Sequence, residues 1–282
     1  MYFTAFGKET SEHPYYQHLY SVRFDGSRLQ HLSTESGNHQ IYASEKGNYF
    51  VDNISTVHEP TRSVLRDGSG KIILELQQVN IDRATELGWE VPEIFTVKAA
   101  DGATDLYGVM WKPFDFDPNK KYPVISYVYP GPQTEPFPIT FGASRHQALA
   151  QVGFIVVAFG NRGGSPLRSR YYHTYGYGDL RDYPLADNRY GLEQLISRHD
   201  FLDGSKVGIY GHSGGGFMST AALLTHPDFY DVAVSSAGNH DNNVYNRWWS
   251  ETHNGVKETT KIIKEMGEDS VEIEKTQTTF EG

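Results

Sequence analysis

A serine with glycines two positions before and two after it, Gly211-His212-Ser213-Gly214-Gly215, has the residue types and spacing to do chemistry. A serine hydroxyl becomes a useful nucleophile when a base takes its proton and nearby N–H groups hold the oxyanion that its attack creates. The flanking residues supply the setting for this. The strand-like run Val207-Gly208-Ile209-Tyr210 leads in, and the apolar, helix-compatible stretch Phe217 to Leu224 leads out. A strand–turn–helix of this kind lifts the hydroxyl above the sheet edge and aims the free N–H groups of the helix start at developing negative charge. The chemistry implied is acyl transfer. A glycine-rich turn with an incidental serine is the alternative, and the in-register strand, elbow and helix weigh against it.

A second element lies upstream. Val128-Tyr129-Pro130-Gly131-Pro132 ends a strand expected to lie beside the nucleophile strand. A tyrosine at such a strand end can offer its hydroxyl to an oxyanion, together with the Gly214 backbone N–H. Taken alone, Tyr129 fits an ordinary packed aromatic better than a functional one. Other chemistries find less support. The chain has no cysteine, which removes thiolate catalysis and cysteine-ligated zinc. His13, His18 and the three histidines after Ser213 (His226, His240 and His253) lack the spacing of H-E-x-x-H or a comparable metal motif. Gly214-Gly215-Gly216 lacks the lysine of a phosphate-binding loop. No cofactor and no metal is expected. A net charge of −10 without a basic block argues against nucleic acid or an anionic membrane as partner.

The elements that must position these residues fall into two grammars. Residues 1 to about 80 hold short strand-like runs between turn residues, such as His18–Phe24 before Asp25-Gly26 and Lys71–Leu76 after Asp67-Gly68-Ser69-Gly70. This pattern suggests antiparallel sheets of the propeller-blade kind, with material for one to two blades where a closed propeller needs at least about four. The opening Met1–Gly7 reads as a strand already in progress, without the basic start or apolar core of a signal peptide. From about residue 93, strands at 94–97, 106–111, 122–129, 154–159, 206–210 and 232–234 alternate with helices at 143–151, 186–198 and 214–225. That alternation predicts an α/β domain with a mostly parallel sheet. The expected division is a propeller remnant over 1–80, a linker over 81–92, the first part of an α/β-hydrolase fold over 93–256 and a polar tail over 257–282. The tail promises at most a weak hairpin at Gly267-Glu268-Asp269-Ser270, and the α/β-hydrolase fold is expected to be incomplete, its last strands missing.

Several motifs come in an order that resembles the prolyl oligopeptidase family, and most of all its dipeptidyl peptidase IV branch. They are Pro92-Glu93, Lys121-Tyr122-Pro123, Tyr129-Pro130-Gly131-Pro132, Asn161-Arg162-Gly163-Gly164 and Gly211-His212-Ser213-Gly214-Gly215-Gly216. The resemblance covers most of residues 90 to 255. It implies a serine peptidase with Ser213 as nucleophile, and Tyr129 with the Gly214 N–H as oxyanion hole. It also implies a substrate pocket drawn from Asn242-Asn243-Val244-Tyr245-Asn246-Arg247-Trp248-Trp249. Tyr245 and Trp249 fall on that family's two pocket tyrosines, the second replaced here by tryptophan, and Trp248 and Arg162 join them as substrate-binding candidates. Such an aromatic box suits proline, whose ring is compact and lacks an N–H. A peptide is then the substrate, cut after a penultimate proline; a homodimer of the full-length parent stays open, as does its export.

In α/β-hydrolases the chain order is nucleophile, acid, histidine. Only 69 residues follow Ser213, and the two family motifs that bear the acid and the histidine are not among them. His226, His240 and His253 read as surface or structural histidines, and His212 as an elbow residue pointing away from the nucleophile. The expectation is a parent peptidase and a chain inactive by itself. An esterase or lipase on the same scaffold and a non-catalytic fragment are the competing readings.

Overall fold

The structure, a computed structural model, describes residues 1–178, 182–242, 244–266 and 272–281. Its N-terminal part is antiparallel throughout. Strands β1 (Tyr2–Phe6), β2 (Gln17–Ser21) and β3 (Gln30–His31) form one sheet. Strands β4 (Asn38–Ala43), β5 (Tyr49–Ser55), β6 (Arg62–Asp67) and β7 (Ile72–Gln78) form a four-stranded meander, the format of a propeller blade. The β6–β7 turn is set by Asp67, whose carboxylate accepts from the backbone N–H groups of Ser69 (2.9 Å) and Lys71 (3.1 Å). Leu19, Leu32 and Phe50 pack between the two sheets. Beside them Arg66 is buried on Asp52 (2.7 Å) and Glu35 (2.6 Å), a charge kept inside by paired carboxylates. The 81–92 stretch contains a short helix, α1 (Asp82–Glu86).

The next elements are β8 (Glu93–Lys98), β9 (Asp105–Trp111), β10 (Tyr122–Tyr127), α2 (Arg145–Ala150), β11 (Ile155–Phe159), α3 (Arg170–His173), α4 (Tyr183–Arg198), β12 (Leu202–His212), α5 (Gly214–Thr225) and β13 (Val232–Ser236). The strands make one six-stranded sheet in the order β13-β12-β10-β11-β9-β8. The first four in that order run parallel, and β9 and β8 are antiparallel. β11 is buried along its whole length, which explains its unbroken apolar sequence. Its alternate side chains feed two cores. Ile155, Val157 and Phe159 join Leu192 and Leu195 of α4 and Met218 and Ala222 of α5. Val156 and Ala158 share a core with Ala150 of α2, and also with Tyr15 and Val57 from loops beside the N-terminal strands β2 and β5. The N-terminal part therefore covers one face of the α/β sheet directly.

Strand β10 stops at Tyr127, two residues before the expected end, although the Val128 N–H still donates to the Tyr210 carbonyl (3.0 Å). Pro130, with no N–H, cannot continue the ladder. Helix α4 starts at Tyr183, three residues earlier than Ala186, with Pro184 in its first turn. Two further elements differ from expectation. The aromatic segment forms a helix, α6 (Arg247–Asn254), whose start is capped by Asn246 accepting from the Trp249 N–H (3.2 Å). The tail is an antiparallel ribbon of β14 (Lys257–Met266) and β15 (Glu272–Glu281) in register from Lys257↔Glu281 to Met266↔Glu272. Its threonines and isoleucines favour strands however polar their neighbours are. The expected hairpin residues 267–270 lie outside the described residues. No helix among the described residues is long and apolar enough to cross a membrane.

Candidate active site

The end of β12 and the start of α5 hold Ser213 at φ 56°, ψ −122°, a region that non-glycine residues avoid. The turn is kept tight by what surrounds it. A Cβ at Gly211 would lie 2.5 Å from the Val128 carbonyl oxygen, and one at Gly215 would lie 2.1 Å from it. Both positions therefore require glycine, and both press the elbow onto the end of the β10 strand. The Ser213 N–H donates to the Ser236 carbonyl (2.8 Å), fastening the elbow to β13 as well. Gly214 opens a 12-residue helix, where the first N–H groups have no intrahelical acceptor. His212 is exposed and hydrogen-bonds the Ser236 hydroxyl (2.9 Å).

Tyr129 follows immediately on Val128, the residue against which the elbow packs. The loop it begins lies over Gly214, where an added Cβ would stand 3.8 Å from Pro130 Cγ and 3.9 Å from the Gly131 carbonyl oxygen. Tyr129 is half-buried, and burial raises its phenol pKa, with Tyr127 and Tyr245 adding to the shift. A hydroxyl kept protonated in this way remains a hydrogen-bond donor. Tyr245 in turn meets Trp249 edge to face, with ring centroids 5.6 Å apart at 86°. Trp249 continues into a contact with His253 (4.8 Å). Trp248 is 79% exposed.

Arg162 has a different setting. Its guanidinium grips Asp187 of α4 through Nε (3.0 Å) and Nη2 (2.7 Å), and its Nη1 reaches Asp101 (3.3 Å). Asp187 is fully buried and also accepts from the backbone N–H groups of Arg162 (2.9 Å) and Ala100 (2.9 Å). Arg162 thus serves the scaffold: it ties β11's end to α4 and to the β8–β9 turn. Of the histidines after Ser213, His226 contacts Arg189 Nη1 (3.2 Å), His240 lies beside Phe217, and His253 is buried against Trp249 and Tyr177. Among the described residues none of them hydrogen-bonds Ser213. No group of three or more His, Asp or Glu side chains among the described residues is arranged to hold a metal ion.

Comparison with known proteins places this geometry. Residues 140–268 match the model of the prolyl oligopeptidase family, and residues 1–61 match the dipeptidyl peptidase IV N-terminal region. The chain belongs to the prolyl oligopeptidase family, in its dipeptidyl peptidase IV branch. Human dipeptidyl peptidase 8 is 30% identical over 239 residues, covering 81% of this chain and 26% of that protein. A probable dipeptidyl-aminopeptidase B of Ajellomyces dermatitidis is 29% identical over 230 residues, covering 79% of this chain and 24% of that one. The chain thus spans about a quarter of the length of the curated relatives it matches. A putative dipeptidyl aminopeptidase IV from Bacteroides ovatus superposes with a TM-score of 0.78 at 29% identity, covering 90% of this chain and 36% of that structure. The dipeptidyl peptidase 4 of Porphyromonas gingivalis gives the same TM-score, 0.78, at 22% identity over 90% of this chain and 35% of its own, a likeness of fold alone. Family membership accounts for the order of elements: a blade-like antiparallel region, then an α/β-hydrolase sheet with the elbow after β12.

Three residues near the site escaped the sequence reading. Asn161 is marked in the sequence only as part of Asn161-Arg162-Gly163-Gly164, and in the structure its side chain donates to the Pro130 carbonyl (3.1 Å). Tyr183 carried no signal beyond its place ahead of a helix, yet its hydroxyl donates to the same carbonyl (2.9 Å). Glu135 carries no motif signal, and its carboxylate accepts from the Tyr15 hydroxyl (2.5 Å) and the Ser165 N–H (3.0 Å).

Proposed function

We propose that this protein is a serine peptidase of the dipeptidyl peptidase type, with Ser213 as the nucleophile. The observation that carries the reading is the strained Ser213 at the strand–helix elbow, packed against the strand end that bears Tyr129. Ser213 Oγ attacks the scissile carbonyl carbon; the carbonyl oxygen takes the negative charge and is held by the Tyr129 hydroxyl and the Gly214 N–H. Collapse of that intermediate expels the amine and leaves an acyl-enzyme, which water then hydrolyses. The base that takes the Oγ proton and hands it to the departing amine is a residue other than His226, His240 and His253, none of which hydrogen-bonds Ser213 among the described residues. The Tyr245–Trp249 pair offers an aromatic corner for a proline ring, and Tyr245 is close enough to Tyr129 to perturb it. Arg162 and Trp248 are left out of the substrate site on the grounds of their partners and exposure. Residues 1–80 would act as a propeller segment that limits access to short peptides, since they pack directly on the face of the α/β sheet.

The test uses protein expressed from its complete gene. A fluorophosphonate probe is expected to label Ser213 and no other residue, and Ser213→Ala to abolish both labelling and turnover of a Gly-Pro anilide. Labelling at another serine would overturn the assignment of the nucleophile. Turnover of a short-chain ester with no turnover of the Gly-Pro anilide would make the protein an esterase.

A further inference from the structure

We infer that Tyr183 is a positioning residue for the oxyanion tyrosine, acting with Asn161 through the carbonyl of Pro130. This rests on the reading of Tyr129 as oxyanion donor. The two residues flanking Tyr129 are both pinned. On one side, the Val128 carbonyl is wedged against Gly211 and Gly215 of the elbow, where no side-chain carbon fits. On the other, the Pro130 carbonyl accepts two hydrogen bonds, from Asn161 Nδ2 at 3.1 Å and the Tyr183 hydroxyl at 2.9 Å, both buried. Tyr129 sits between one anchor on the nucleophile turn and another on the scaffold. The distance between its hydroxyl and the helix start is therefore set by backbone atoms held at both ends.

The Tyr183 anchor is itself a built site. Its ring lies in a slot made by two glycines: a Cβ would come within 2.3 Å of the ring at Gly163 and within 2.6 Å at Gly176. Gly163 also has φ 91°, which a side chain would strain. The slot leaves the ring one direction in which to point its hydroxyl, towards Pro130. Burial is the first cause of the raised Tyr183 phenol pKa, and Tyr129 is among the groups that add to it, as expected for neighbours. Asn161 is fixed too, because its amide also donates to the Arg162 carbonyl (2.7 Å), and Arg162 is locked on Asp187. The chain of contacts runs from α4 through Tyr183 and Asn161 to the loop of Tyr129. A one-ångström drift of an oxyanion donor is enough to cost a large part of its effect.

The experiment is a double-mutant cycle in protein expressed from its complete gene, read as kcat and KM on a Gly-Pro anilide. Tyr183→Phe keeps the ring in its slot and removes the hydroxyl alone. It is expected to lower kcat about 5- to 20-fold while KM moves less than about twofold, since the donor matters most once charge has developed. Tyr129→Phe is expected to lower kcat by about 100-fold or more. In the Tyr129→Phe background, Tyr183→Phe should lower kcat by less than about twofold, because its effect passes through a hydroxyl no longer present. An equal loss in both backgrounds, or an unchanged kcat in Tyr183→Phe, would overturn the inference while leaving the oxyanion assignment standing. An unchanged kcat in Tyr129→Phe would overturn that assignment and this inference with it. Asn161→Ala, which removes the other donor to Pro130, gives the same cycle a second time with an independent substitution, so that a poorly folding Tyr183 variant does not decide the matter.

Discussion

Glu135→Gln should abolish a pH dependence that the structure builds into the contact between the N-terminal sheets and the α/β sheet. The Glu135 Oε1 accepts from the Tyr15 hydroxyl and the Ser165 N–H, and its Oε2 is shut off from solvent. Burial pushes the carboxyl pKa from an ordinary 4.5 up to about 7, against the pull of Tyr15, Ser165, Tyr172 and Arg168. Below pH 4.5 the folded and unfolded chains both hold the proton, and the site costs nothing. As pH rises towards 7 the unfolded chain releases it first, so stability falls. At about 1.4 kcal/mol per unit, the full loss is roughly 3 kcal/mol, of which about 2–3 kcal/mol appears between pH 5 and pH 8. A glutamine keeps an acceptor for Tyr15 and Ser165 and has no charge to bury. Urea unfolding of both proteins at pH 5 and pH 8 reads the difference. His13 and His146, both lowered by burial to about 4, act in the opposite sense by adding stability as pH rises from 4 to 6.5. They are present in both proteins and cancel in the comparison. Glu135→Gln should gain about 2–3 kcal/mol on the original protein on going from pH 5 to pH 8. Parallel profiles for the two proteins would refute the reasoning.

Gly215→Ala puts a Cβ 2.1 Å from the Val128 carbonyl and should cut fluorophosphonate labelling of Ser213 at least about tenfold; labelling at the original rate would show that the elbow can relax. Asp187→Ala strands a guanidinium that now shares its bidentate pair, and should cost about 3–5 kcal/mol, seen as a lower urea midpoint. Trp249→Ala opens the aromatic corner with Tyr245 and should raise KM for the Gly-Pro anilide about tenfold with a smaller change in kcat. An unchanged KM would remove the pair from the substrate pocket.

What could be read in the sequence and what could not divide along a physical line. The elbow was legible because its causes are local. A strand, two glycines around a serine and a helix start lie within about twenty residues, and each leaves its own mark. β11 was legible for a similar reason, since a strand buried on both faces must be apolar throughout. The ribbon at the end of the chain was not, because its polarity fits an irregular tail and only its threonine and isoleucine content favours strands. Arg162 shows the harder limit. A motif can say that an arginine is required there, but its partner Asp187 lies 25 positions away in a helix, where nothing marks it as the acceptor of a buried charge. Tyr183 and Pro130 are 53 positions apart, and their contact becomes visible only when Gly163 and Gly176 are seen to form the slot between them. The elbow that carries the proposed nucleophile is therefore written in one stretch of chain, whereas the placement of its proposed oxyanion partner depends on residues that meet only in the folded sheet. That difference makes the double-mutant cycle on Tyr129 and Tyr183 more informative than any substitution within the elbow.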